Sequence, residues 1–214
     1  MALIHGRVTD FDGTSIKDAE VELKNDKFIT LYSTKSDSNG NYSFAVENGR
    51  YLALYACKDY GTKNLEYWAW NVIVDSDMQI NPRFQGLEVY AINAYLIQRV
   101  PSVMQIYFRP MSLKRTQLAG GKEKLKDMKF IDIAPKLGNA DIQVAINEEP
   151  VAVLAVDRVK EYVSPKQKIA AYLVQTDLPK MQEKKIWRIC LTLHDSETTE
   201  WGEGCLFFEK PAYK

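Results

Sequence analysis

Long hydrophobic runs are missing from this sequence. No apolar stretch approaches the ~18 residues of a membrane-spanning helix, so membrane insertion is not expected. An excess of either charge is missing too. Basic and acidic residues number 28 each, for a net charge of zero. No global field would draw the chain to nucleic acid or anionic lipid, and nucleic acid is not an expected partner. The one local candidate, "KEKLKDMK" at 122–129, is diluted by Glu123 and Asp127 and reads as a solvated loop or short helix.

Histidine is scarce, with only His5 and His194, one in each half. A zinc peptidase needs a cluster of His and Glu ligands, and no such set assembles here. The G-x-S-x-G elbow, the P-loop and H-E-x-x-H are all lacking. Cys190 and His194 would share a strand face but stand about 13 Å apart, too far for a nucleophile and its base. Acidic pairs such as Glu148–Glu149 and Glu200/Glu203 fit hairpin loops. No catalytic, cofactor-binding or metal-ligating residue is therefore assigned, and no cofactor is expected.

Cysteine is sparse and odd in number: Cys57, Cys190 and Cys205. An odd count argues against a disulfide framework, and separate small thiols are the preferred reading. Pairing stays open: a hairpin of 186–193 and 203–209 centred near 197–198 would set Cys190 opposite Cys205. The opening "MALIHGRVTD" has neither a basic n-region nor a long apolar h-region, so as it stands the chain reads as cytoplasmic.

What is present is period-two alternation, with little helical periodicity. "AEVELK" places Ala19, Val21 and Leu23 on one face and Glu20, Glu22 and Lys24 on the other. "NYSFAV", "RYLALYAC" and "EYWAWNVIV" continue the pattern, punctuated by turn clusters such as "DFDG", "SDSNGN" and "ENG". After residue 86 come further strands: "LEVYAINAYLIQ", "VMQIYFRPMS", "KFIDIA", "ADIQVAI", "VAVLAVDRV", "KIAAYLVQT", "KIWRICLTL" and "GCLFFEK". "NEEP" (147–150) and "DSETTEWGEG" (195–204) read as hairpin connections. The insertion 114–129 reads as an exposed loop with one helical turn. Closely spaced strands and turns indicate β-sandwiches. The fold class is all-β, with two sandwich domains, 1–86 and 87–214.

"STKSDSNGNYSF" (33–44) carries Asp37, Asn39 and Asn41 at alternate positions. An EF-hand loop counted from Asp37 would need glycine at position 6 and glutamate at position 12. Those positions hold Tyr42 and Asn48, so the stretch is a turn rather than a calcium loop. Asn39-Gly40 favours positive φ, and the Asp37 side chain can accept an N–H two residues on.

The same residues resemble the carboxypeptidase regulatory-like domain, a transthyretin-like (prealbumin-like) β-sandwich related to B-type adhesin repeats. "GRV" at Gly6–Val8 opens the match. "DGTSIKDAEVEL" follows, with Ala19 at the family's alanine position. "SDSNGNYSF" supplies Asp37, Gly40, Tyr42 and Phe44, and "ENGRYLAL" supplies Gly49 and Tyr51. The resemblance covers about residues 3–90. It implies a non-catalytic accessory unit, often exported, in tension with the plain N-terminus. Some adhesin relatives form a Lys–Asn isopeptide bond, but residues 1–16 hold no lysine, so that bond is not carried over. The rest of the chain reads only as an immunoglobulin-like or similar sandwich.

Aromatic residues concentrate in "NLEYWAWN" (64–71). Alternation puts Trp68, Trp70, Val72 and Val74 on one face, the expected core, and Tyr67, Ala69, Asn71 and Ile73 on the other. A packed strand near the domain junction is the preferred reading. The alternative is an exposed platform of Tyr60, Tyr67 and Asn71 for a sugar ring or partner surface. Trp201, in a polar hairpin loop, suits interdomain packing and ligand or partner contact equally. The functional expectation is a non-catalytic binding or structural module with a protein partner or self-association. A carbohydrate-binding module comes next, then a hydrolase with an interdomain site lined by paired carboxylates.

Overall fold

The computed structural model describes residues 1–97, 102–179 and 185–211. Seven strands precede residue 86: β1 (Ala2–Arg7), β2 (Glu20–Lys24), β3 (Thr30–Lys35), β4 (Asn41–Val46), β5 (Gly49–Cys57), β6 (Tyr67–Val74) and β7 (Met78–Gln79). After it come β8 (Leu87–Leu96), β9 (Val103–Ser112), the helices α1 (Leu113–Leu118) and α2 (Lys122–Leu125), β10 (Phe130–Ile131) and β11 (Ile142–Ile146). The series ends with β12 (Glu149–Val151), β13 (Val153–Ser164), β14 (Gln167–Asp177), β15 (Ile186–Asp195) and β16 (Glu200–Glu209). The strand read as reaching Gln98 ends at Leu96, and Gln98 itself lies outside the described residues. The insertion forms two short helices rather than one turn, each burying a leucine, Leu113 and Leu125.

The chain is all-β, built as two β-sandwiches on one shared sheet. That sheet has eight strands in the order β12-β11-β15-β16-β6-β5-β2-β3. The halves join where β16 runs parallel to β6, with Gly204, Cys205 and Leu206 opposite Trp68, Ala69 and Trp70. A three-stranded sheet, β4-β1-β7, covers one face of the β6-β5-β2 side. The β10-β14-β9-β8 sheet, with β13 on β14, covers the other face of the β11-β15-β16 side. Two cores therefore sit on opposite faces of one sheet. One holds Ile4, Val21, Leu23, Tyr42, Tyr51 and Leu54; the other holds Val89, Ile106, Phe108, Tyr172, Ile189 and Leu191. Each large side chain removed from water this way contributes about 1.5–3 kcal/mol.

The "SDSNGN" turn closes on itself. Asp37 Oδ1 accepts from the N–H groups of Asn39 (2.8 Å) and Asn41 (2.9 Å). Gly40 sits at φ +81°, and a Cβ there would lie 2.4 Å from the Val8 carbonyl oxygen, so no other residue fits. Tyr42 follows into the core and donates its hydroxyl to the Ile80 carbonyl at 2.7 Å.

Two expectations need correction. On β6 the alternation holds only to Trp70. Asn71 takes left-handed backbone (φ 54°), and beyond it the facing reverses. Val72 and Val74 join the same core as Tyr67 and Ala69, while Trp68 and Trp70 pack in the other. The second correction concerns the cysteines. β15 and β16 form the hairpin centred near 197–198, Cys190 and Cys205 are in register, and they form a disulfide rather than separate thiols. Direct opposition across an antiparallel pair brings their Cα atoms to 4.1 Å. Cys57 stays free and buried. Burial, with the nearby Glu66 charge, pushes its thiol up to about 12, so it is an inert core residue.

Candidate functional site

Two acidic clusters form where the sandwiches meet. The first begins at the N-terminal end of β6. The Trp68 indole Nε1–H is shared between Glu66 Oε2 (3.1 Å) and Glu88 Oε1 (3.0 Å) on β8. Glu88 is only 2% exposed, and its second oxygen, Oε2, is buried with no hydrogen-bond partner. Burial pushes the Glu88 carboxyl well above the ordinary carboxylate range, and the Glu66 charge adds to this. Glu66 is raised as well, chiefly by burial. Two carboxyls competing for one donor cannot both ionise at low cost, so a proton stays on the pair.

Glu88 lines a cavity of about 380 Å³ between the sandwiches. Its walls are Leu65 from the first half and Met111, Leu113, Leu125 and Ile133 from the second. Tyr60 stands at the mouth with the Lys122 ammonium 3.8 Å from its ring centroid, a cation–π contact. The helices α1 and α2 thus form one wall. Glu66 is not among the lining residues, so the paired carboxylates expected of a hydrolase site do not both face this cavity.

The second cluster is fully compensated. Glu200, on β16, is 4% exposed and accepts from Ser112 Oγ, from the Lys114 N–H (3.0 Å) and from Thr198 Oγ1 (2.8 Å). Asp195, 1% exposed, accepts from Arg115 Nε and Nη2 (3.1 and 2.9 Å) and the Glu197 N–H, and shares the single Thr198 hydroxyl proton with Glu200. Burial alone would raise the Asp195 carboxyl. The Thr198 and Arg115 hydrogen bonds outweigh it and hold the group below its usual value. Gly86 makes room for this packing, since a Cβ there would fall 2.4 Å from Glu200 Oε1.

The four residues singled out from sequence do not form a platform. Tyr67 is 1% exposed and fills the first core, as the packed-strand reading requires. Both faces of β6 are covered, and this overturns the exposed role for Tyr67. Tyr60 is 41% exposed but serves the cavity mouth. Asn71 is exposed at the reversal of β6. Trp201 is half-buried and stacks with two rings, His194 at 4.1 Å and Phe11 at 5.6 Å between centroids. Arg83 lies over Phe11 and pairs with Glu203. Phe11 and Trp201 come from different halves, so Trp201 packs between domains. Sequence reasoning missed Glu66, which directly precedes β6, and Glu88, which lies on β8. The only available signal was a glutamate inside an apolar strand, at "GLEVYA".

Two sandwiches on one sheet, with closed turns and a clamped junction, define a β-sandwich module. Residues 3–81 match the family model of the carboxypeptidase regulatory-like domain. The remainder of the chain lies outside the match. A comparison with curated proteins finds no match. Among solved structures, BcpA, the major pilin subunit of Bacillus cereus, aligns at 11% identity over 96% of this chain and 69% of its own, with a TM-score of 0.32. A point variant of BcpA aligns at 12% identity over 96% and 67%, also at 0.32. These likenesses are too slight to bear on function. Among the described residues no helix is long and apolar enough to cross a membrane.

Proposed function

We propose that the chain is a non-catalytic, rigid module of two units, 1–86 and 87–214, that works by protein contact, with pairing between copies at the open edge of the shared sheet. One observation carries this reading. Among the described residues β3 ends the eight-stranded sheet and pairs as a strand only with β2. At and beside this edge Phe28, Ile29 and Leu31 are 48%, 56% and 49% exposed. An unpaired strand edge bearing apolar side chains is a template for another strand. The family of the first unit, an accessory and non-enzymatic one, supports the non-catalytic part. The Cys190–Cys205 disulfide supports an oxidising compartment.

Sedimentation velocity over a wide concentration range tests the contact. The wild-type protein is expected to self-associate, and a variant carrying Ile29→Lys and Leu31→Lys is expected to stay monomeric with an unchanged circular dichroism spectrum. A wild-type protein that remains monomeric to millimolar concentration overturns pairing at this edge.

A further inference from the structure

The cavity behind Tyr60 has a pronounced chemical asymmetry. Its body is apolar, formed by Leu65, Met111, Leu113, Leu125 and Ile133. Its buried polar end is Glu88, 2% exposed, with Oε2 left without a donor. A buried acceptor with no partner bears its full desolvation cost, and such a group in a native fold calls for an explanation. The compensated carboxylates at the same junction show that this fold can satisfy buried acids. Glu200 and Asp195 draw their donors from α1 and the β15–β16 hairpin. Glu88 gets a share of one indole N–H and of the proton it holds in common with Glu66, and Oε2 is still left without a partner.

We propose that this cavity binds a small organic cation, a primary ammonium on an apolar stem of about six to eight carbons, whose N–H donors satisfy Glu88 Oε2. Three features select this chemistry. With the pair's proton held in the hydrogen bond between Glu66 and Glu88, Oε2 presents a lone pair, so the ligand must donate. The two carboxyls behind it carry net negative charge, and a charged donor makes the stronger bond. The mouth already accommodates an ammonium, since Lys122 Nζ stands 3.8 Å from the Tyr60 ring centroid. Lys122 is exposed, tethered to a four-residue helix, and swings aside when the ligand's own ammonium enters. An anionic ligand would meet Glu88, with Glu66 behind it, at the closed end and find only Lys122 at the mouth as partner. A neutral alcohol would fill the apolar body without the charge gain.

Titration of the full chain with n-hexylamine, n-hexanol and hexanoate decides the matter. Trp68, which bonds Glu88 and stacks on Trp70 with centroids 5.0 Å apart, supplies the fluorescence readout, and amide chemical shifts locate the contact. Hexylamine is expected to saturate at least about tenfold more tightly than hexanol, the difference a charge-assisted hydrogen bond makes. Glu88→Gln should reduce hexylamine binding to the hexanol level, and Lys122→Ala should tighten it by removing the competing cation. Equal binding of hexylamine and hexanol, undiminished binding by Glu88→Gln, preference for hexanoate, or no saturable binding would each overturn the proposal. If Glu88→Gln fails to fold, the amine–alcohol comparison in wild-type and Lys122→Ala protein decides alone. None of these results depends on association at the β3 edge.

Discussion

The two acidic clusters at the junction differ in one respect that matters: the number of donors per buried oxygen. Around Glu200 and Asp195 every carboxylate meets several, drawn from Ser112, Lys114, Arg115, Thr198 and Glu197. Around Glu88 and Glu66 one indole N–H and one proton held between the acids serve both, and Glu88 Oε2 has no partner. Helix α1 separates the two environments. Its first turn clamps the β15–β16 hairpin, while Leu113, Thr116 and Gln117 look into the cavity. The Glu200–Asp195 cluster is a fastening that holds the second sandwich's hairpin to the segment between β9 and β10. The Glu66–Glu88 cluster is an unfinished site. Glu88 is as buried as Glu200 and Asp195, so burial alone does not mark function; the oxygen without a partner does.

The largest expected effect falls on the fastening. Glu200→Ala strands the Ser112 hydroxyl and the Lys114 N–H in a buried setting and should cost about 3 kcal/mol of stability, measured by urea denaturation. A loss below 1 kcal/mol would mean the two clusters are alike after all. Next comes the cross-link on the same hairpin. Replacing Cys190 and Cys205 by serine opens a loop with a sequence separation of 15, and the chain-entropy estimate for such a loop is about 3 kcal/mol, with native relaxation bringing it to about 2. Because Asp195 and Glu200 sit at the end of this hairpin, combining the double serine variant with Glu200→Ala should depart from additivity. Additive losses would show that the clamp and the disulfide act independently.

Much of the fold was legible because alternation and turn chemistry agree along the chain. "SDSNGN" reads as a turn and is one, and "NEEP" turns with Asn147 and Glu148 both at positive φ. What failed to read did so for definite reasons. Tyr67 was offered to solvent because period-two logic assumes one wet face. β6 lies inside the shared sheet and is buried on both sides, a condition signalled by its near-continuous apolar run. The reversal at Asn71 rests on a left-handed residue, and asparagine tolerates that conformation without announcing it. Trp201 could be placed in a hairpin, but its partner Phe11 lies far off in sequence. Glu66 and Glu88 are brought together by the meeting of β6 and β8. Only the tertiary fold assembles that pair, so no spacing rule could reveal it.

The smallest effect is also the sharpest test of the contrast, because its sign reverses. Glu88→Gln keeps an oxygen for the Trp68 N–H and supplies an amide donor toward Glu66. It should stabilise the ligand-free protein by about 1 kcal/mol at neutral pH, the scale of one hydrogen bond. The gain depends on pH in a fixed direction. Glu88 and Glu66 have raised carboxyl pKa values in the fold, through burial first. Above the unfolded value of about 4.3, the native state therefore holds more protons than the unfolded chain. Stability then falls as pH rises through the folded values. Asp195, held low, contributes in the opposite sense and loses its share as pH falls, so the wild-type curve alone mixes the two clusters. The difference in melting temperature between Glu88→Gln and wild type isolates the pair: it should widen as pH rises above the unfolded value of about 4.3. A difference that is flat, or a variant destabilised to the degree of Glu200→Ala, would place Glu88 among the satisfied acids and remove the distinction between the clusters.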